Sequence, residues 1–144
     1  MSGITRLPLV CFLAFAAGST MAGPPQKPAN AQDKGGSVDR GKYVVEELAR
    51  CEFCHTPRDE QGQSDEGRRL MGGPLQIRAS FPNSWAVTAP RIAGQPPGTD
   101  ADIIKLLTTG IWKTGRPPNP PMPAFRMSQA DAEAVLAYLK SLGR

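Results

Sequence analysis

The stretch ARCEFCHTPRD, residues 49 to 59, governs how the rest of the chain is read. It holds Cys51, Cys54 and His55 within five residues. His55 is the one histidine of the chain, and the third cysteine, Cys11, lies near the N-terminus. On a turn of helix, side chains three apart face the same way. Cys51 and Cys54 are therefore presented side by side, with His55 directly after the second. Such a trio can close a disulfide, hold a metal, act as a redox dithiol, or tie down one flat group at two points while the histidine meets its centre.

The cellular compartment helps to decide between these. The chain opens MSGITRLPLVCFLAFAAGSTMAGPPQ. Arg6 supplies a positive start, Leu7 to Ala17 is an apolar run, and Thr20 and Ala22 are small residues spaced for a signal peptidase. Residues 1–22 are expected to be a secretory signal peptide, which predicts a periplasmic protein. The run is shorter than the ~20 residues that span a bilayer. An uncleaved signal is the alternative form of anchor. Cys11 follows Leu9 and Val10, which lack the small size a lipoprotein signal wants, so it belongs to the discarded peptide. In an oxidising compartment a disulfide is the bland expectation for the remaining pair. Zinc wants about four ligands, and the mature chain offers no further Cys or His. A thioredoxin-like dithiol wants a strand–helix context that is absent here. C-x-x-C-H is also the attachment pattern of haem c. On that reading Cys51 and Cys54 form two thioethers at the haem rim and His55 fills one axial position on iron.

The formal charge is +4, and loss of Arg6 with the signal would leave sixteen cations against thirteen acids. That is mildly basic and no argument for nucleic-acid binding. Gly and Pro together make 30 of 144 residues. This falls below the ~25–30% that marks disorder, and it predicts long turns and few strands. Residues 23–36, GPPQKPANAQDKGG, read as a flexible linker. The folded domain is expected over 37–144.

Within that domain three helices are predicted. The first starts near Ser37 or Val38 and runs to about Arg50, with Gly41, Val44, Val45 and Leu48 on one face. The second spans Asp100 to Thr109. Thr99 and Asp102 give it a capping-box start, Gly110 ends it, and Ile103, Leu106 and Leu107 share a face with Gly110. The third follows Ser128, which with Asp131 repeats the capping pattern, and Val135, Tyr138, Leu139 and Leu142 line one face. Between the first two, DEQGQSDEGRR is a polar loop, GGPL and SFPNSW are turns, and WAVT is one candidate short strand. KTGRPPNPPMPAFRM cannot be helical and is stiff. The class is all-α with much irregular chain.

With no second histidine, a second iron ligand falls to methionine. Met71, Met122 and Met127 are the mature candidates. Met127 sits at the mouth of the last helix, where core packing is the simpler role. Met122 lies in a loop with prolines on both sides. A thioether binds iron weakly, so a pre-stiffened loop matters, and Met122 is the expected ligand.

At this point the chain resembles the monohaem c-type cytochromes of the class I fold. The resemblance covers about Arg40 to Leu142 and is carried by GKYVVEELARCEFCHTPRD, LLTTGIWKTGRPPNPPMPAF and MSQADAEAVLAYLKSL. It implies a small cytochrome c fold around one covalent haem. The helix before C-x-x-C-H would cross the last helix near a right angle, with Gly41 or a neighbour allowing the close approach and Tyr138 packing there. It also implies a proline carbonyl on the free ring nitrogen of His55. TAPRIAG nominates Pro90, although Pro90 lies much further from His55 than the family usually places it. Trp85 and Trp112 are candidate haem walls, Arg78, Arg91, Lys113 and Arg116 are candidate propionate partners, and Phe53 is a candidate cover for a haem edge.

Ligation implies the function. With His55 and Met122 both on iron, the haem can only gain and lose one electron. The expected partners are redox proteins, met either as a free carrier or as the cytochrome subunit of a respiratory dehydrogenase or oxidase. No catalytic residues are expected, and the membrane enters only through a partner complex or an uncleaved signal. Two alternatives stand beside this: an open-site haem enzyme or gas sensor, and a haem-free protein closed by a Cys51–Cys54 disulfide.

Overall fold

A computed structural model describes residues 34–81 and 83–143. The expected signal peptide and nearly all of the expected linker lie outside the described residues. The described part is mainly helical, as expected. Helix α1 (Lys34–Tyr43) leads into a wider π-type turn, Val44–Leu48, and then a short helix α2 (Glu52–His55). Helix α3 (Asp100–Thr109) and helix α4 (Gln129–Ser141) follow. Two two-residue strands, β1 (Gly73–Pro74) and β2 (Thr88–Ala89), pair antiparallel, with Gly73 opposite Ala89. The strand expected in WAVT is thus reduced to Thr88 and its neighbour Ala89.

Helices α3 and α4 form where local signals say they should. Thr99 and Asp102 bond each other's backbone N–H groups in a complete capping box, and Gly110 closes α3 in the left-handed region at φ 67°. The Ser128 side chain accepts from the Asp131 N–H at the start of α4. The first helix departs from expectation at both ends. It begins at Lys34, and its last part winds more loosely, with the Ala49 N–H reaching back to the Val44 carbonyl at 2.8 Å. The looser winding breaks the 3.6-residue period. Val44 and Val45 stay buried, but Leu48 turns out to solvent, 57% exposed. Arg50 then takes a left-handed φ of 51° and redirects the chain into α2.

Helix α1 and the turn after it pack across α4. A Cβ at Gly41 would lie 1.9 Å from the Ala134 carbonyl oxygen and 2.8 Å from Tyr138 Cβ, so the crossing is backbone against backbone. Around it Val44, Val45, Val135, Tyr138 and Leu139 form one core with Ile103 and Leu107 of α3. Tyr138 Oη donates to Glu46 at 2.5 Å. Arg69 pairs with Glu46 at 2.9 Å and also bonds Glu52. One charged cluster thereby ties α4, the π-type turn, α2 and the loop at Arg69. The Pro-rich segment is irregular, as expected.

Candidate functional site

Between these helices and the loops lies a cavity of about 440 Å³. Cys51, Cys54, His55 and Met122 all line it. The four residues singled out from the sequence, 71 positions apart at the extremes, therefore meet at one wall system. Its apolar surface comes from Leu75, Ile103, Leu107, Trp112, Phe125 and Leu139. The polar loop 59–69 contributes nothing to it.

Each group reaches the cavity for a local reason. Arg50 in the left-handed region ends the π-type turn, and the His55 N–H returns to the Cys51 carbonyl at 2.9 Å. This single turn presents both thiols. They are free rather than joined to each other. Burial pushes the Cys51 thiol up to about 11, and Cys54 is raised for the same reason. Burial thus disfavours the thiolate that metal coordination needs.

His55 is buried, which lowers its pKa, while the Pro90 carbonyl pulls the other way. Its Nδ1 lies 2.8 Å from the Pro90 oxygen. A carbonyl only accepts, so Nδ1 carries the proton and Nε2 keeps its lone pair. The ring is neutral, oriented and left with one free donor atom. Pro90 takes this role although 35 positions separate it from His55.

Met122 is part-buried on the cavity wall, with Pro121 and Pro123 lining beside it. The Ala86 N–H donates to the Pro120 carbonyl at 2.7 Å, and the Met127 N–H donates to Leu107 at 2.9 Å. Arg126 donates to the Thr109 carbonyl. The loop is therefore tied on both sides of Met122. Met71 is exposed and Met127 packs on the core, and neither lines the cavity.

The other candidates divide. Trp112 lines the cavity, whereas Trp85 does not and spends its indole N–H on the Ile77 carbonyl at 2.9 Å. Arg91 bonds the Ala93 carbonyl at 2.7 Å, and Lys113 sits over the Trp112 ring. None of Arg78, Arg91, Lys113 and Arg116 reaches the lining; among the described residues the one cation that does is Arg50, which sequence reasoning passed over. Phe53 is more than half exposed, with the Arg58 guanidinium over its ring.

An apolar cleft of this volume is an unfavourable surface for a domain of this size to leave to water. The fold therefore calls for a large, mostly apolar group. A porphyrin with two side-chain anchors and a free imidazole nitrogen for its metal fits that demand.

The cytochrome c family model matches residues 38–143. The chain belongs to the cytochrome c family. Its cofactor is covalently held haem c, and the cysteine pair such attachment requires is present at Cys51 and Cys54. The chain is 32% identical over 114 residues to the fructose dehydrogenase cytochrome subunit of Gluconobacter japonicus, with 72% of this chain and 22% of that one covered. It is 32% identical over 108 residues to a diheme cytochrome c-type protein of Cereibacter sphaeroides, covering 71% of this chain and 34% of that one. It is 27% identical over 111 residues to one of the subunits of nicotinate dehydrogenase from Pseudomonas putida, covering 72% and 9%. The match thus spans about a third or less of each relative. What is shared is a cytochrome c electron-transfer domain, and those relatives include the cytochrome subunit of one dehydrogenase and a subunit of another.

Proposed function

We propose that this domain carries single electrons between redox proteins, with one haem c attached through Cys51 and Cys54 and held axially by His55 and Met122. The observation that carries the reading is the convergence of all four side chains on one apolar cavity, with the His55 ring fixed by Pro90. Haem in a Met/His set supplies a one-electron couple of raised potential relative to other axial sets.

The residues divide the work. Cys51 and Cys54 retain the group through both oxidation states. His55 offers Nε2 while its Nδ1–H stays on Pro90, so the imidazole does not rotate. Met122 is a weak donor, and the ties at Pro120, Arg126 and Met127 lower the entropy lost in holding it. Held by both His55 and Met122, a bound haem would offer oxygen and substrate no open site. The domain takes one electron from a donor and passes the same electron to an acceptor.

The dehydrogenase names among the relatives support the version in which this domain serves a dehydrogenase or oxidase complex; a free carrier is the other version. Charge favours an acidic partner face. From residue 67 to 130 eight Lys or Arg stand against two acids, Asp100 and Asp102, with Arg68 and Arg69 already paired to Asp65, Glu46 and Glu52. The N-terminal pattern supports export to the periplasm, with 1–22 removed and a linker that ends where α1 begins at Lys34.

The test is a visible spectrum of the exported protein, oxidised and reduced, after acidified acetone. The expected result is colour that stays with the protein, sharp reduced bands and a Met–iron charge-transfer band. His55→Ala should abolish the low-spin spectrum. Met122→Ala should keep the haem, lower the potential and admit carbon monoxide. Ready carbon monoxide binding by the wild type would move the domain to the open-site class, and a colourless protein would sink the haem assignment.

A further inference from the structure

His55 and Pro90 are far apart in sequence, and the turn from Arg69 to Gly72 is what brings them together. Three of its four residues bond to the His55 side, the Pro90 side or both. Arg69 pairs with Glu46 and with Glu52, which sits between the two cysteines. Leu70 is fully buried at φ 58°. Its N–H donates to Thr56 Oγ1 at 3.1 Å, and its carbonyl accepts from Ile92 and Ala93 at 2.9 and 3.0 Å. Gly72 donates its N–H to the His55 carbonyl at 2.7 Å.

Gly72 also touches the other side. A Cβ there would lie 2.5 Å from the Arg91 nitrogen and 2.6 Å from both the Ala89 oxygen and the Pro90 carbonyl carbon. Its φ is 74°. Glycine is thus required twice, by the left-handed backbone and by the backbone of 89–91 lying against it. One residue is seated between the peptide of His55 and the peptide that orients its ring.

We propose that Gly72 is a positioning residue for His55, setting the separation between the His55 ring and the Pro90 carbonyl and thereby the reduction potential of the haem. The proposal rests on His55 being the axial ligand. A short Nδ1–H···O bond makes the imidazole a stronger donor through Nε2, which favours the oxidised iron. A stretched bond favours the reduced iron. The obstacle to a Cβ is backbone, which has no rotamer to yield. Ordinary contact near 3.5 Å would need an opening of about 1 Å. Added to the present 2.8 Å, that removes the hydrogen bond.

Gly73 supplies the control. Its Cβ would meet Pro57 Cβ at 3.0 Å, and its three nearest atoms all belong to Pro57 rather than to 89–91, although the same residue pairs with Ala89. The experiment compares haem-loaded wild type, Gly72→Ala and Gly73→Ala by potentiometry and by solvent exchange of the His55 Nδ1 proton in NMR. Gly72→Ala should raise the potential and speed that exchange, and Gly73→Ala should leave both unchanged. A Gly72→Ala protein with an intact Met band but wild-type potential and exchange overturns the proposal. So does an equal shift in Gly73→Ala, which would mean general loosening. If Gly72→Ala fails to load haem, Thr56→Val loosens the same turn by deleting the acceptor of the Leu70 N–H. A smaller upward shift there supports the proposal, and no shift overturns it. Failure of the ligand assignment shows separately, as a wild-type Nδ1 proton without the contact shift of an iron-bound imidazole.

Discussion

Replacing Gly41 with alanine pits two opposite effects against each other, so the sign of the result decides between them. Within a helix, glycine to alanine alone stabilises by about 1 kcal/mol. At Gly41 the new methyl would lie 1.9 Å from the Ala134 oxygen and 2.5 Å from its carbonyl carbon. Relief to ordinary contact near 3.5 Å means separating α1 from α4 by about 1.5 Å. The side chains across that crossing, Val44 and Val45 against Val135, Tyr138 and Leu139, then lose close contact. A gap of 0.5–1 Å already forfeits about a quarter to a half of each contact. Overpacking of this kind costs about 3 kcal/mol, the upper part of its usual range, because the neighbour is backbone. The net is a loss of about 2 kcal/mol, or a fall in Tm of about 8–16 °C for a domain this size. Thermal unfolding of the haem-loaded protein, followed by far-UV circular dichroism, measures it. A Gly41→Ala protein with a Tm equal to or above the wild type would refute the close crossing.

The Glu46 cluster gives a pH signature. Burial pushes the Glu46 carboxyl up, but the Tyr138 hydroxyl and the Arg69 guanidinium outweigh it and hold it below its ordinary 4.5. A carboxyl lowered by folding contributes stability that is complete above 4.5 and lost as pH falls through its folded value. Urea unfolding should therefore weaken more steeply below pH 4.5 in wild type than in Glu46→Gln, and parallel acid limbs would count against the cluster. Tyr138→Phe should cost about 1.5–3 kcal/mol at pH 7, since it deletes a hydrogen bond to a charged acceptor. Arg126→Ala should lower the temperature at which the Met band disappears while moving global unfolding less, because Arg126 ties the Met122 loop to the end of α3; a coincident shift of both would make Arg126 a general core element. Electron exchange with an acidic redox partner should slow as salt rises, since residues 67–130 carry eight cations against the two acids Asp100 and Asp102. A rate independent of ionic strength would remove the charge argument.

What was legible in the sequence is what short-range chemistry dictates. Thr99, Asp102 and Gly110 bracket α3 by bonds spanning a few residues, so its limits appear directly in the sequence. Met122 stood out because its prolines are local too. Leu48 was misplaced because a periodic face assumes constant winding, and the π-type turn that rotates it outward carries no residue signature. Arg50 was missed for a similar reason: an arginine in the left-handed region has no local marker, and its place on the cavity wall follows from that bend. Trp85 could have walled the haem on composition alone, but its N–H partner, Ile77, is settled by how the 75–87 loop folds back. Pro90 follows from the family resemblance alone, and its distance in sequence from His55 argues against it.

That distance turns out to be the wrong measure. The extra chain between His55 and Pro90 closes on itself before it matters. Asp59 Oδ1 accepts from the Gln61 and Gln63 N–H groups, Arg58 bridges to Ser64, and the Asp65 N–H returns to the Pro57 carbonyl at 3.0 Å. The excursion thus leaves and returns at nearly the same point, beside Thr56. The entropy of closing such a loop grows only with the logarithm of its length, so added residues at its tip cost little. What cannot vary is the place of re-entry. Leu70 must arrive where Thr56 accepts its N–H, and Gly72 must follow where no side chain fits. Orientation of the His55 ring therefore depends on a four-residue turn rather than on the spacing of the two residues that share the hydrogen bond.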